Sequence, residues 1–224
     1  MVEVFPRKLY GRRKGPKLSA HKQDLRRTLL PRIALKIESG ADPRTYFSPP
    51  VDDVWLEVGF GAGEHLLALA RAHHDVGLIG AEPYEAGVAK LLSHMAEDPP
   101  PNIRVHEGDA REVIQALPDA CLGRVFILFP DPWPKTRHHK RRFIQTDTLN
   151  RLARIMKPGA ELRFASDDAG YTEWTLERAV HHAAFRWTAR GLSDWKTRPA
   201  DWPRTRYEAK ALHGPPAYLC FTRV

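Results

Sequence analysis

Sulfur, long apolar runs and early acidic residues are what this chain lacks. Its 224 residues include only two cysteines, Cys121 and Cys220, far apart in sequence. That rules out a disulfide framework and a thiolate-rich metal site. No apolar run is long enough to cross a bilayer, and the opening residues have no secretion-signal core, so a cytoplasmic, membrane-free protein is expected. Histidine is more plentiful, at eleven. Yet His73-His74, His138-His139 and His181-His182 are adjacent pairs whose side chains diverge on a helix or a strand, and no metal site is expected. Acids are scarce at the start: residues 1–36 hold eleven Lys or Arg against Glu3 and Asp24. The whole chain has a formal charge of +8, so beyond this segment it is close to neutral. Such an arm has the composition of a solubilising tail, a targeting sequence or a segment that meets polyanions.

What is present is a chain of the right length for one sizeable α/β domain plus an appendage. Residues 1–50 read as a basic N-terminal arm and lead-in, and 51–224 as the domain. From Val54 onward, short apolar runs alternate with helical-period segments, the pattern of βαβ units and a doubly wound, mostly parallel sheet. Strands are expected near Val54–Val58, Gly77–Ala81, Ile103–His106, Arg124–Phe129, Glu161–Ala165, Phe185–Ala189 and Tyr218–Thr222. Helices are expected near Glu64–Ala72, Tyr84–Ala96, Arg111–Leu117, Phe143–Met156 and Tyr171–Ala183. Residues 191–216 hold Trp195, Trp202 and four prolines without periodicity and read as an ordered loop region.

Ligands of open parallel sheets bind beyond the carboxyl ends of the strands, and here those ends are acidic. The first is followed by Gly59, Gly61 and Gly63 in LEVGFGAGE, a turn that lets a cofactor approach the backbone. Glu64 follows where a dinucleotide fingerprint wants a small residue, and a carboxylate there suits a pyrophosphate poorly. Glu82 ends the second strand, where it can accept from both hydroxyls of a ribose or simply favour a helix N-terminus. Asp109 follows the third, placed to meet an adenine edge or to cap a helix. With Glu57, these positions fit a cofactor with adenine, ribose and a cationic tail but no phosphate. S-adenosylmethionine has that chemistry.

After the fourth strand comes FPDPWPKTRHHKRR, Phe129–Arg142. Pro130 and Pro132 stiffen the turn around Asp131. Lys135, Arg137, Lys140, Arg141 and Arg142 follow with no acid before Asp147, a run that suits nucleic acid as well as a solvated face.

LEVGFGAGE, IGAEPY, EGDA and above all FPDPWPK with its basic run resemble the bacterial tRNA (guanine-N7-)-methyltransferase family, with SDDAGY at Ser166–Tyr171 and TRYE at Thr205–Glu208 in the matching order. The resemblance runs from about Leu56 to Val224. It implies a seven-stranded Rossmann-like methyltransferase sheet, S-adenosylmethionine as cofactor, tRNA as partner, and methylation of N7 of guanosine 46 in the variable loop. By that resemblance Glu57, Glu82, Asp109 and Asp131 line the cofactor site with the glycine turn, and Asp131 is also the active-site residue. Lys135, Asp167, Thr205, Arg206, Tyr207 and Glu208 contact substrate, while Arg137, His138, His139, Lys140, Arg141 and Arg142 touch RNA. The 191–216 region then contacts substrate. From its own composition, the arm is expected to be flexible until RNA binds. No obligatory protein partner is evident.

Three other readings compete. An amino-methyltransferase acting on adenine or cytosine would place Asn or Asp-Pro-Pro-aromatic after the fourth strand, close to but not the same as Pro-Asp-Pro-Trp-Pro. A noncatalytic RNA-binding module on a decayed methyltransferase fold would have lost acidic cofactor positions that are present here. An NAD-dependent dehydrogenase is disfavoured by the glycine spacing.

Overall fold

The computed structural model describes residues 9–204, 208–209 and 213–224. Seven strands form one sheet: β1 (Asp53–Val58), β2 (Val76–Ala81), β3 (Ile103–His106), β4 (Leu122–Leu128), β5 (Met156–Ser166), β6 (Phe185–Trp187) and β7 (Ala217–Arg223). Their order is β3-β2-β1-β4-β5-β7-β6. The first five are parallel, and β7 is antiparallel to both β5 and β6. This is the doubly wound, mostly parallel architecture expected from the alternation. β2, VGLIGA, is buried along its whole length because helices cover both faces of the sheet.

The crossovers are α3 (Glu64–Ala72), α4 (Glu85–His94), α5 (Ala110–Ala116), α6 (Thr146–Ile155) and α7 (Ala169–Val180). In α3 the sequence EHLLALARA starts with an acid in the first turn and turns Leu66, Leu67, Leu69 and Ala70 inward. Gly63 precedes it at φ +78°, and a Cβ there would lie 2.6 Å from Leu91, so glycine both makes the turn and lets α3 pack against α4. One core layer gathers Leu66, Leu78, Leu91, Leu92 and Phe126; the other gathers Leu56, Ile127, Leu149, Leu162 and Phe164.

β5 begins at Met156 rather than near Glu161, and two further segments depart from expectation. The lead-in is built into the body: α1 (Ala20–Thr28) and the single turn α2 (Leu30–Ile33) carry Leu29, Ile33 and Leu35 into the core, with Phe47 following. Arg26 of α1 donates to Glu107 at 2.8 Å and lies 3.7 Å from Glu85 at the start of α4. The helix expected from Phe143 begins at Thr146, because the preceding Thr136–Arg141 forms a 3-10 helix of its own. The 191–216 region includes the short helix α8 (Ser193–Lys196) and the buried Trp202, which packs edge-on to Tyr218 at 5.7 Å.

Candidate active site

Register places the strand-end residues on one rim. Val58 pairs with Ala81 and Ile127, and Leu128 with Ala165. The next residue of each strand still belongs to the sheet: Gly59 N–H donates to Ala81 O, Glu82 N–H to His106 O and Phe129 N–H to Ala165 O, at 2.7–3.0 Å. Beyond that rim lies a cleft of about 350 Å³ lined by Gly59, Gly61, Glu82, Asp109, Asp131 and Trp133, among others. Leu9, Tyr10, Gly11 and Arg12 of the basic arm form part of its wall.

Glu82 is buried, and its two oxygens accept from the backbone N–H groups of Gly61 and Tyr84 at 2.8 Å each. Burial pushes its pKa up, the two N–H bonds oppose that, and the charges of Asp131 and Glu57 add to it. The same bonds fix the glycine turn, where Gly59 and Gly61 hold φ of +72° and +60°, and around Gly59 a Cβ would meet open space. Asp109 is both helix cap and cleft wall. It accepts from Arg111 N–H at 3.0 Å at the start of α5 and pairs with the Arg111 guanidinium at 3.2 Å. Glu57 is buried one step behind the cleft wall, where it bonds His65 Nδ1 at 2.9 Å.

Asp131 stands at the mouth of the cleft between Phe129 at φ +49° and Trp133 at φ +45°, two non-glycine residues in left-handed backbone. Such conformations persist where the surroundings enforce them and gather at functional sites. Its side chain reaches solvent and makes no hydrogen bond or ion pair among the described residues. Partial desolvation by the cleft walls pushes its pKa up.

The basic run does not present one uniform face. Lys135, Arg137 and Lys140 point into solvent with no hydrogen bond or ion pair among the described residues. His138 sits edge-on to Trp133, and His139 edge-on to Trp174. Desolvation and the cations Arg141, Arg137, Lys135 and Lys140 lower the His138 pKa, so it adds little charge at neutral pH. Arg141 lies between the Tyr10 and Trp133 rings, 5.0 and 4.8 Å from their centroids.

Arg142 corrects the expectation of an RNA contact. It is 3% exposed, donates to Pro132 O at 2.8 Å and Gly170 O at 3.1 Å, and rests against Tyr171 and Trp174. Its guanidinium braces the Asp131 turn from inside.

Asp167 accepts from His213 N–H at 3.1 Å beyond β5. Glu208 is held by Tyr218 Oη at 2.9 Å and Arg198 Nε at 3.1 Å. Thr205, Arg206 and Tyr207 lie outside the described residues. Sequence reasoning missed His65, Arg198, Tyr10 and Trp133 as parts of this end of the molecule. Only Trp133, inside the Pro-Asp-Pro-Trp-Pro turn, carried a signal. Among the described residues no group of three or more His, Cys, Asp or Glu could hold a metal, and no helix is long and apolar enough to cross a membrane.

An open sheet with an acidic, glycine-turned cleft at its carboxyl rim defines a Rossmann-like methyltransferase fold. Solved structures agree on that fold. The 16S rRNA methyltransferase KamB aligns with TM-score 0.54 at 16% identity, over 85% of this chain and 97% of that one. A putative methyltransferase from Streptococcus mutans, in complex with SAH, aligns with TM-score 0.51 at 9% identity, over 78% and 90%. A family model described as a putative methyltransferase matches residues 52–218. The tRNA (guanine-N(7)-)-methyltransferase of Rhodospirillum rubrum is 54% identical over 96% of this chain and 88% of its own length. Those of Caulobacter vibrioides and Chelativorans sp. are 48% and 44% identical, over 97% and 100% of this chain and 96% and 100% of theirs. The chain belongs to the tRNA (guanine-N(7)-)-methyltransferase family.

Proposed function

We propose that this protein methylates N7 of guanosine 46 in the variable loop of tRNA, using S-adenosylmethionine bound in the acidic cleft. The observation that carries this reading is the continuity of Phe129–Arg142: one segment leads from the carboxylate at the cleft mouth to exposed cations within a few residues. The residues fit the cofactor. Glu82 keeps a lone pair on each oxygen for a ribose hydroxyl after accepting from Gly61 and Tyr84. Asp109 lines the wall suited to the adenine, and Glu57 and Asp131 add negative charge that favours a cationic ligand. When bound, S-adenosylmethionine supplies an electrophilic methyl group on a sulfonium.

The remaining work falls to the chain. Neutral guanine has a free lone pair on N7, so no side chain has to remove a proton to make the nucleophile; the chain must orient and stabilise. Asp131 accepts from the guanine N1–H and exocyclic amine, bonds that tighten as the ring becomes positive. It is favoured over Glu208 for this role because Tyr218 and Arg198 already engage the Glu208 carboxylate. Lys135 orients the nucleotide through a phosphate or a base acceptor. Arg137, Lys140 and the arm neutralise tRNA phosphates, while Asp167 and the 205–208 segment contact the substrate.

The test is transfer of labelled methyl to an unmodified tRNA transcript with guanosine at position 46, beside the same transcript with that base replaced. Label on the first alone, recovered as 7-methylguanosine, is expected. Equal labelling of both would remove the assignment of the position.

A further inference from the structure

At the cleft mouth Tyr10 and Trp133 meet nearly at right angles, with ring centroids 6.3 Å apart and planes at 71°. Into this corner Arg141 places its guanidinium, 5.0 and 4.8 Å from the two rings. Arg141 Nε is buried without a hydrogen-bond partner, and the guanidinium has no ion pair among the described residues. A planar cation thus occupies a corner of aromatic faces, held by little besides those faces. The corner opens on the cleft beside Asp131: a Cβ on Gly11, the residue after Tyr10, would lie 3.4 Å from Asp131 Oδ2. Trp133 is aimed there by left-handed backbone between Pro132 and Pro134.

We infer that this corner is the seat of the target guanine, stacked on Trp133 with Tyr10 at its edge, and that it prefers the base once methylated, the Arg141 guanidinium giving way on entry. The inference rests on the reading of the cleft given above. In the transfer the N7–CH3 bond forms while the S–CH3 bond breaks and leaves its electron pair on sulfur. Positive charge passes from the sulfonium to the purine, and no proton moves. The product purine is therefore a planar cation, like the guanidinium already seated there. Aromatic faces attract it more strongly than neutral guanine, so the corner binds the transition state better than the ground state.

Calorimetric titration of the whole chain with 7-methylguanosine monophosphate and with guanosine monophosphate tests this without turnover. The unaltered protein is expected to bind the methylated nucleotide about tenfold more tightly; Trp133→Leu abolishes the preference and Trp133→Phe keeps most of it. At saturating tRNA, Trp133→Leu slows single-turnover transfer by about the same factor while the tRNA Kd stays within about twofold. Should Trp133→Leu unfold, Tyr10→Leu, on the arm outside the sheet, is expected to lower the preference by itself. Equal or absent binding of the two nucleotides, or a preference that survives in Trp133→Leu, overturns the inference. A protein that shows the preference but does not methylate tRNA leaves the corner standing and removes the functional reading.

Discussion

The acidic rim and the basic run lie side by side, yet they are built in opposite ways. Glu57, Glu82 and Asp109 are each tied to a neighbour, whether His65, the Gly61 and Tyr84 amides, or the start of α5. Lys135, Arg137 and Lys140 have no such ties among the described residues. Fixed carboxylates cost no reordering when a small ligand arrives, which favours selectivity for its shape. Untied cations on flexible stems suit a polyanion, where affinity comes from counterion release rather than from any one geometry. Asp131 and Arg142, at the two ends of the joining segment, reverse the pattern: the acid is untied and the arginine is locked inside.

Breaking the acidic side is expected to have the largest effect. Asp131→Asn should cost on the order of 10²–10³ in single-turnover transfer, the scale for losing one preorganised electrostatic contact. Its raised pKa gives the stability sign. A carboxyl with a folded pKa above its unfolded value favours the fold when protonated, and that contribution is lost as pH rises through the folded pKa. Asp131→Asn should therefore unfold at an unchanged or slightly higher temperature at neutral pH, and a marked fall would recast Asp131 as structural. Activity has the opposite pH sign. On the proposed reading Asp131 and Glu82 serve as ionised acceptors, and because both pKa values are raised, transfer should fall on acidification sooner than it would with carboxyls of ordinary pKa. Glu82→Gln should weaken S-adenosylhomocysteine binding roughly 10- to 100-fold in calorimetry, through the charged acceptors it loses.

Breaking the basic side sharpens the contrast. Replacing Lys135, Arg137 and Lys140 together with alanine should reduce the slope of log K against log salt for tRNA by about 2 to 3 without changing the melting temperature. Arg142→Ala, in the same run, should instead lower stability by about 2 kcal/mol, because two carbonyls lose their donor and the stack on Tyr171 and Trp174 is lost. Thermal unfolding of the two variants side by side checks this.

Sequence pattern reached the sheet but not the lead-in, and the reason is physical. β3 and α3 have the bounds expected because apolar side chains repeat at the period of each element. Helix α1, AHKQDLRRT, buries none of its residues and so has no apolar stripe to read. It is placed by Arg26 on Glu107 and by the core residues that follow it. The strand-end carboxylates were legible because topology fixes which residues reach the rim. Which cations of the run face outward was not, because a 3-10 turn and partners distant in sequence, Gly170 and Tyr171, decide it.

The most direct test of this division of labour is the salt dependence of two affinities in one preparation, S-adenosylhomocysteine and tRNA, from about 50 to 200 mM salt. A nearly flat response for S-adenosylhomocysteine is predicted, with a slope near −3.5 to −4.5 for tRNA if about five phosphates are neutralised. Equal slopes for the two ligands, or a flat response for tRNA, would contradict it.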